Sequence, residues 1–136
     1  MGLALSKIMP GRPRPSGLES VHLVNQGVSP LQIADWTVIH MSSDGRHLRY
    51  FKFPLELEGN PQWVVGPEDV VVVFSGKKPE GGDTKQSIDR PREFRFWWGL
   101  SEAIWTSLED TVAVRDEDGV VVNEASVRTL IERGKK

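Results

Sequence analysis

Short apolar stretches interrupted by proline or glycine are the feature of this sequence that most restricts its fold. The 136 residues include 13 glycines and 9 prolines, and the apolar stretches between them have the length of strands rather than helices. Apolar and polar residues alternate in ESVHLVN at 19–25, and WTVIHM at 36–41 is rich in β-branched and aromatic residues that suit a pleated surface. This pattern predicts an all-β domain.

Two turns that contain glycine predict the hairpins of this domain. Asp44-Gly45 should join a strand at 36–41 to its return strand, because glycine tolerates the positive φ of a tight hairpin turn. Asp118-Gly119 should do the same within DTVAVRDEDGVVVNEA. The same acidic stretch superficially resembles a calcium loop, but its glycine and glutamate are out of frame for an EF-hand. We therefore expect a plain hairpin there.

Side-chain parity divides the first hairpin into two faces. Its inner face contributes to a predicted core formed by Trp36, Phe51, Phe53, Phe74 and Trp98. The outer face carries a predicted interface formed by Ile39, Met41, Leu48 and Tyr50. An apolar patch of this kind seldom stays bare, and three covers are open: the C-terminal helix, the long loop or a second molecule.

The chain has the length of a single domain, here residues 1–136. We expect a strand core at about 3–123, a long loop at 76–105 and a C-terminal helical tail at 124–136. Apolar residues in the tail are spaced for one helical face, with Asn123 as its N-cap.

Basic residues in the long loop lead into a group of aromatic residues. Such interleaving can bind a polyanion, because stacking and phosphate neutralisation act together. The candidate residues for this site are Lys77, Lys78, Arg90, Arg92, Arg95 and Trp97. However, the formal net charge of the chain is −2, which argues against a dedicated nucleic-acid binder. Nucleic acid is therefore the less favoured partner.

No catalytic, metal or cofactor site is predicted. The chain has no cysteine and only three histidines, and His22 belongs to a different strand from His40 and His47. Ser75 lies outside a nucleophile elbow, and the GKK that follows it lacks the frame of a phosphate loop. We therefore expect a protein that is not an enzyme and needs no cofactor.

The order of the motifs resembles the lamin tail domain family, in the form of a stand-alone prokaryotic-type member. The resemblance covers residues 19–122 and is carried by Glu19 with VHLVNQG, then SPLQIADW, YFKFP, VVVVFSG, WWG and DTVAVRDEDGVVV. One departure is that Asp35 stands where the family usually has a glycine before Trp36.

This resemblance implies an immunoglobulin-like antiparallel β-sandwich of about eight or nine strands with a short C-terminal helix. It also implies that Trp36 fills the space between the sheets and that Asn25 and Gly27 shape the exit from a strand. The implied function is protein interaction or targeting without catalysis. Protein partners, including a second copy of the chain as a homodimer, are the partners that follow from it.

The apolar runs are too short to span a bilayer, and the N-terminus lacks the organisation of a signal peptide. On the chain as given, we expect no membrane span and a cytoplasmic location.

Overall fold

The structure is a computed structural model that describes residues 2–9, 19–46, 48–77, 91–100, 104–105 and 107–135. Within these residues the chain forms eight strands and one helix. The strands are β1 (Leu3–Met9), β2 (Ser20–Asn25), β3 (Thr37–Met41), β4 (Leu48–Lys52), β5 (Val70–Phe74), β6 (Glu93–Trp97), β7 (Thr111–Arg115) and β8 (Val121–Ser126), and the helix is α1 (Val127–Gly134).

The strands form two four-stranded sheets that share one core. Sheet 1 has the order β1-β2-β5-β6, and sheet 2 has the order β4-β3-β7-β8. Valine, leucine and isoleucine side chains of both sheets are buried together with aromatic rings, so the apolar face of each sheet is covered by the other. This architecture confirms the predicted all-β sandwich with a short helix.

Both predicted hairpins are present. In the β3–β4 turn, Gly45 has a φ of 72°, and the side chain of Asp44 accepts a hydrogen bond from the backbone N–H of Arg46 at 2.9 Å. In the β7–β8 turn, Gly119 has a φ of 81°, and Asp116 Oδ1 accepts from the backbone N–H of Val120 at 3.0 Å. The acidic stretch is therefore a hairpin turn, as expected from its sequence.

The predicted long loop at 76–105 is wrong over β6, which lies inside it. Phe94 and Phe96 alternate with the partly buried Glu93 and the exposed Arg95, which is the period of a strand with one buried face. Strand β6 pairs with β5 in parallel, so one described pair departs from the predicted antiparallel sandwich. A charged segment separates β5 from β6 in the sequence, so the pairing of these two strands was not predicted.

The helical tail predicted at 124–136 begins later than expected. Residues up to Ser126 continue β8, where Ser126 pairs with Thr111 of β7. The N-cap is Ser126, whose Oγ accepts a hydrogen bond from the backbone N–H of Thr129 at 3.1 Å. Asn123 is not the cap: it lies in β8, and its Oδ1 accepts from the backbone N–H of Leu5 at 2.9 Å.

The five predicted core residues occupy different environments. Phe53 is fully buried, whereas Trp36, Phe51 and Trp98 are partly buried and pack against the core. Phe74 lies instead on the outer face of sheet 1, because Val71 and Val73 of β5 face inward. Apolar residues on both faces of a central strand give no indication of which face is internal.

The two long sides of the sandwich are closed differently. On one side α1 packs against β1 and β8. The approach is close enough that a Cβ on Gly134 would clash with the carbonyl oxygen of Ile8. On the other side β4 faces β6 across aromatic rings, among them Phe51 and Phe96 at a centroid distance of 6.0 Å. This second side carries the candidate site.

Candidate functional site

The predicted interface lies on the outer face of β3 and β4, with the strand register that parity predicts. Ile39 pairs with Tyr50, and Met41 pairs with Leu48. Leu48 is 48% exposed and Tyr50 is 60% exposed, whereas Met41 is partly buried and Ile39 is buried. Ile39 lies in the middle of the sheet, between Tyr50 and Ala113 in the register, so neighbouring strands cover it. The exposed part of the patch is therefore the β4 edge.

The C-terminal helix does not cover this edge. Sheet 2 has β4 at one end and β8 at the other, and α1 packs at the β8 end. This placement excludes the C-terminal helix, which is one of the three covers that the sequence left open. Residues 78–90 of the predicted long loop lie outside the described residues.

A groove lies beside the β4 edge, on the side of the sandwich opposite α1. It has a volume of about 480 Å³ and is lined by Phe51, Lys52, Pro54, Leu57, Arg95, Phe96 and Trp97. One wall comes from β4 and the residues that follow it, and the other wall comes from β6. We call this site the β4–β6 groove.

The apolar lining of the β4–β6 groove rests on the aromatic core. Phe51 contacts Phe53 edge to face at 5.5 Å between ring centroids, and Phe96 contacts Phe53 at 5.2 Å. Trp63 extends the cluster and contacts Phe96 at 5.7 Å, while its Nε1 donates to the carbonyl oxygen of Pro54 at 3.1 Å. The lining is therefore held by packed rings that a ligand need not order.

Two cationic side chains flank the groove, each in an exposed ion pair. Lys52 Nζ lies 3.3 Å from Asp35 Oδ1, and Arg95 Nη2 lies 2.7 Å from Glu93 Oε2. The side chains of Lys52 and Arg95 are 56% and 49% exposed. Exposed pairs of this kind contribute only about 0–1 kcal/mol each, so both cations can exchange their partner for a ligand carboxylate at small cost.

The candidate polyanion residues are not gathered into one basic surface by the described part of the chain. Lys77 follows β5 and is exposed, while Arg92 precedes β6 and donates its backbone N–H to buried Asp69 at 2.8 Å. Trp97 stacks on Phe74 with ring centroids 4.1 Å apart, so one face of its indole is occupied. Lys78 and Arg90 lie outside the described residues.

A buried His–Asp pair at the rim of sheet 2 was missed by sequence reasoning. His40 Nε2 and Asp110 Oδ2 lie 2.7 Å apart, and Asp110 Oδ1 accepts from the backbone N–H of Ser43 at 3.0 Å. The two residues are 70 positions apart, and neither belongs to a motif that would signal the contact. The pair ties the β3–β4 turn to the segment before β7.

The described residues do not bring histidines or acids together as a metal site. No group of three or more metal-ligating side chains occurs within the described ranges. His22 lies on sheet 1 and His40 on sheet 2; His47 lies outside the described residues. A search of the described residues also finds no helix with the length and hydropathy needed to span a membrane.

No model of a known protein family matches the chain, and a search of curated proteins finds no match either.

His22 on the outer face of sheet 1 predicts a pH-dependent stability. Burial lowers the pKa of His22 below its usual 6.5, nearby Lys7 lowers it further, and Glu93 opposes them. A lowered pKa in the folded state means that the unfolded chain takes up the proton first, so stability falls as pH drops below about 6.5. Denaturant unfolding at pH values from neutral down to about 5 should show that His22→Gln loses less free energy of unfolding than the wild type does. An equal pH dependence of this free energy in both proteins would contradict the prediction.

Proposed function

We propose that this chain is a non-catalytic protein-interaction module with an immunoglobulin-like sandwich of the lamin tail domain type. The observation that carries the proposal is the exposed β4 edge, where Leu48 and Tyr50 are 48% and 60% exposed on the outer face of sheet 2. Large apolar side chains at a strand edge are a common means of protein recognition.

The segment just before β3 supports the lamin tail resemblance in one detail. Asp35, at the position where that family usually has glycine, has a φ of 70°, which is the backbone region that glycine favours. Aspartate is among the few other residues that visit this region readily, so the departure preserves the local backbone. The Asp35 carboxylate is directed to Lys52, across the start of the hairpin.

Replacing Leu48 and Tyr50 together with aspartate should weaken partner binding while leaving the fold intact. Both side chains project from an edge strand into solvent, so their loss removes recognition area rather than core packing. Proteins captured by the wild type from extracts of its source cells should be purified and titrated by calorimetry against both proteins. We expect binding by the wild type and a loss of at least about tenfold in affinity for the double variant.

Val28→Asp is the matched control, because Val28 is 94% exposed in a loop away from β4. It should bind as the wild type does. The proposal fails if no purified candidate binds the wild type, or if the double variant binds as tightly as Val28→Asp. Sedimentation of the wild type against Met41→Asp tests the second copy as partner: a wild-type dimer that this substitution dissociates would identify the homodimer.

A further inference from the structure

The exposed edge of β4 offers backbone hydrogen-bonding groups as well as side chains. Strands β3 and β4 are antiparallel, and Phe53 N–H donates to the carbonyl oxygen of Trp36 at 2.9 Å at the end of this ladder. In an antiparallel pair, alternate residues direct both backbone groups to the same side. Phe51 and Arg49 therefore bond towards β3, while the backbone groups of Leu48, Tyr50 and Lys52 face the open edge. Among the described residues no other strand pairs with that edge.

The charged side chains of β4 and of the described groove lining are all basic. The segment RHLRYFK at 46–52 contains two arginines and a lysine and no acidic residue. Across the groove Arg95 adds a fourth cation, and none of the described residues that line the groove carries a carboxylate. The two acids nearest to the lining cations, Asp35 and Glu93, are held in exposed ion pairs that a ligand can replace.

We propose that β4 binds an extended acidic segment of a protein partner by strand addition, with apolar side chains of that segment in the β4–β6 groove. This inference rests on the proposed interaction function and specifies the partner's chemistry. In an added strand successive side chains point to opposite faces, so alternate residues enter the groove beside Phe51 and Phe96. Carboxylates of the segment contact Lys52 on β4 and Arg95 across the groove.

Two other occupants are disfavoured, a second copy by the charges of the edge and a nucleic acid by the packing of the aromatic rings. A second copy paired through β4 would bring two basic edges together, which is a device that proteins use to prevent edge-to-edge association. A nucleic acid would need exposed aromatic faces for its bases. Among the described residues of β4 and the groove, Tyr50 is the one aromatic side chain that is largely exposed, because Phe96 is buried and Trp97 is stacked on Phe74. Successive bases would therefore lack a row of aromatic faces.

A fluorescein-labelled decapeptide of alternating glutamate and valine is the probe, with binding measured by fluorescence anisotropy at low and physiological salt. Wild-type protein should bind it, and Lys52→Glu should weaken binding about tenfold. Lys135→Glu is the matched control, because Lys135 is an exposed lysine at the α1 end of the molecule. It should leave the affinity unchanged. Thermal unfolding of both variants checks that they remain folded.

Three further probes separate the modes of binding. N-methylation of alternate residues along one edge of the peptide should abolish binding, since strand addition requires that edge's N–H groups. The alternating lysine and valine peptide should not bind. Amide hydrogen exchange should slow at Tyr50 and Lys52 when the acidic peptide is added, because their N–H groups enter a new ladder.

The inference is overturned if the acidic peptide fails to bind at low salt or binds the Lys52→Glu variant equally well. It is also overturned if an oligothymidylate of the same length binds more tightly and leaves the β4 amides unprotected. A wild-type dimer whose β4 amides are already slow to exchange would assign the edge to a second copy. If a purified partner binds while the peptide does not, the proposed interaction function stands and only the acidic strand-addition mode fails.

Discussion

Replacing Phe53 with alanine is expected to lower the free energy of unfolding by about 3–5 kcal/mol. Phe53 is fully buried, and its ring contacts Phe51, Trp63 and Phe96 at centroid distances of 5.5, 6.5 and 5.2 Å. Alanine removes the transfer free energy of the ring and leaves a cavity bounded by rigid aromatic rings that close it poorly. Equilibrium urea unfolding followed by tryptophan fluorescence measures the change.

Tyr50→Ala is the control for this prediction, because Tyr50 is an aromatic residue on the same segment but is 60% exposed. It should change the free energy of unfolding by less than about 1 kcal/mol. Phe53→Leu, which keeps most of the apolar volume, should fall between the two. A loss below about 1 kcal/mol for Phe53→Ala would contradict the packing described at this position.

The Phe53 substitution also tests the connection between the core and the groove. Phe51 and Phe96 line the β4–β6 groove and both rest on Phe53. Weaker packing beneath these rings should lower affinity for a groove ligand, although Phe53 does not line the groove. The affinity of the groove for a ligand should therefore depend on packing in the core as well as on the residues that line the groove.

Features that depend on residues close together in the chain were predictable from the sequence. The β3–β4 and β7–β8 hairpins follow from Asp44-Gly45 and Asp118-Gly119, whose glycines have φ values of 72° and 81°. Parity then separates Ile39 and Tyr50 from Val38 and Phe51, because the side-chain period of a strand is two.

Features that depend on distant residues were not predictable in the same way. The parallel pairing of β6 with β5 joins segments separated by a charged stretch, and nothing in β6 specifies its neighbour. The β4–β6 groove combines Lys52 and Pro54 with Arg95 from the other sheet, so no local pattern indicates it. The exposed half of the site on β4 was predicted as an interface, and Arg95 and Trp97 of the opposite wall were predicted only as part of a separate polyanion site.

Asn25 has the local role that was predicted for it and also contacts a distant segment of the chain. The sequence resemblance implied that Asn25 shapes the exit from a strand. Its side chain is fully buried, and its Oδ1 accepts a hydrogen bond from the backbone N–H of Gly27 at 2.9 Å. Its Nδ2 donates to the carbonyl oxygens of Ser29 and Val65, each at 2.9 Å. The carboxamide thus joins the turn after β2 to the segment that leads into β5.

Asn25→Ala should therefore lower the free energy of unfolding by about 1.5–4.5 kcal/mol, from three hydrogen bonds at about 0.5–1.5 kcal/mol each. Gln26→Ala, one residue away and exposed, should have little effect. Urea unfolding compares the two variants. Similar midpoints would show that the Asn25 carboxamide does not contribute to stability.

Asn25→Asp keeps the shape of the side chain and separates its donor role from its acceptor role. An ionised carboxylate still accepts from Gly27 but faces the carbonyl oxygens of Ser29 and Val65 without a proton to donate. At neutral pH this variant should be less stable than Asn25→Ala, because a buried charge meets two acceptors. Burial and these carbonyl oxygens should raise the pKa of the new carboxyl in the folded state above its unfolded value. Its stability relative to Asn25→Ala should then improve as pH falls through that folded pKa, and a pH-independent difference between the two variants would contradict the donor role of Asn25.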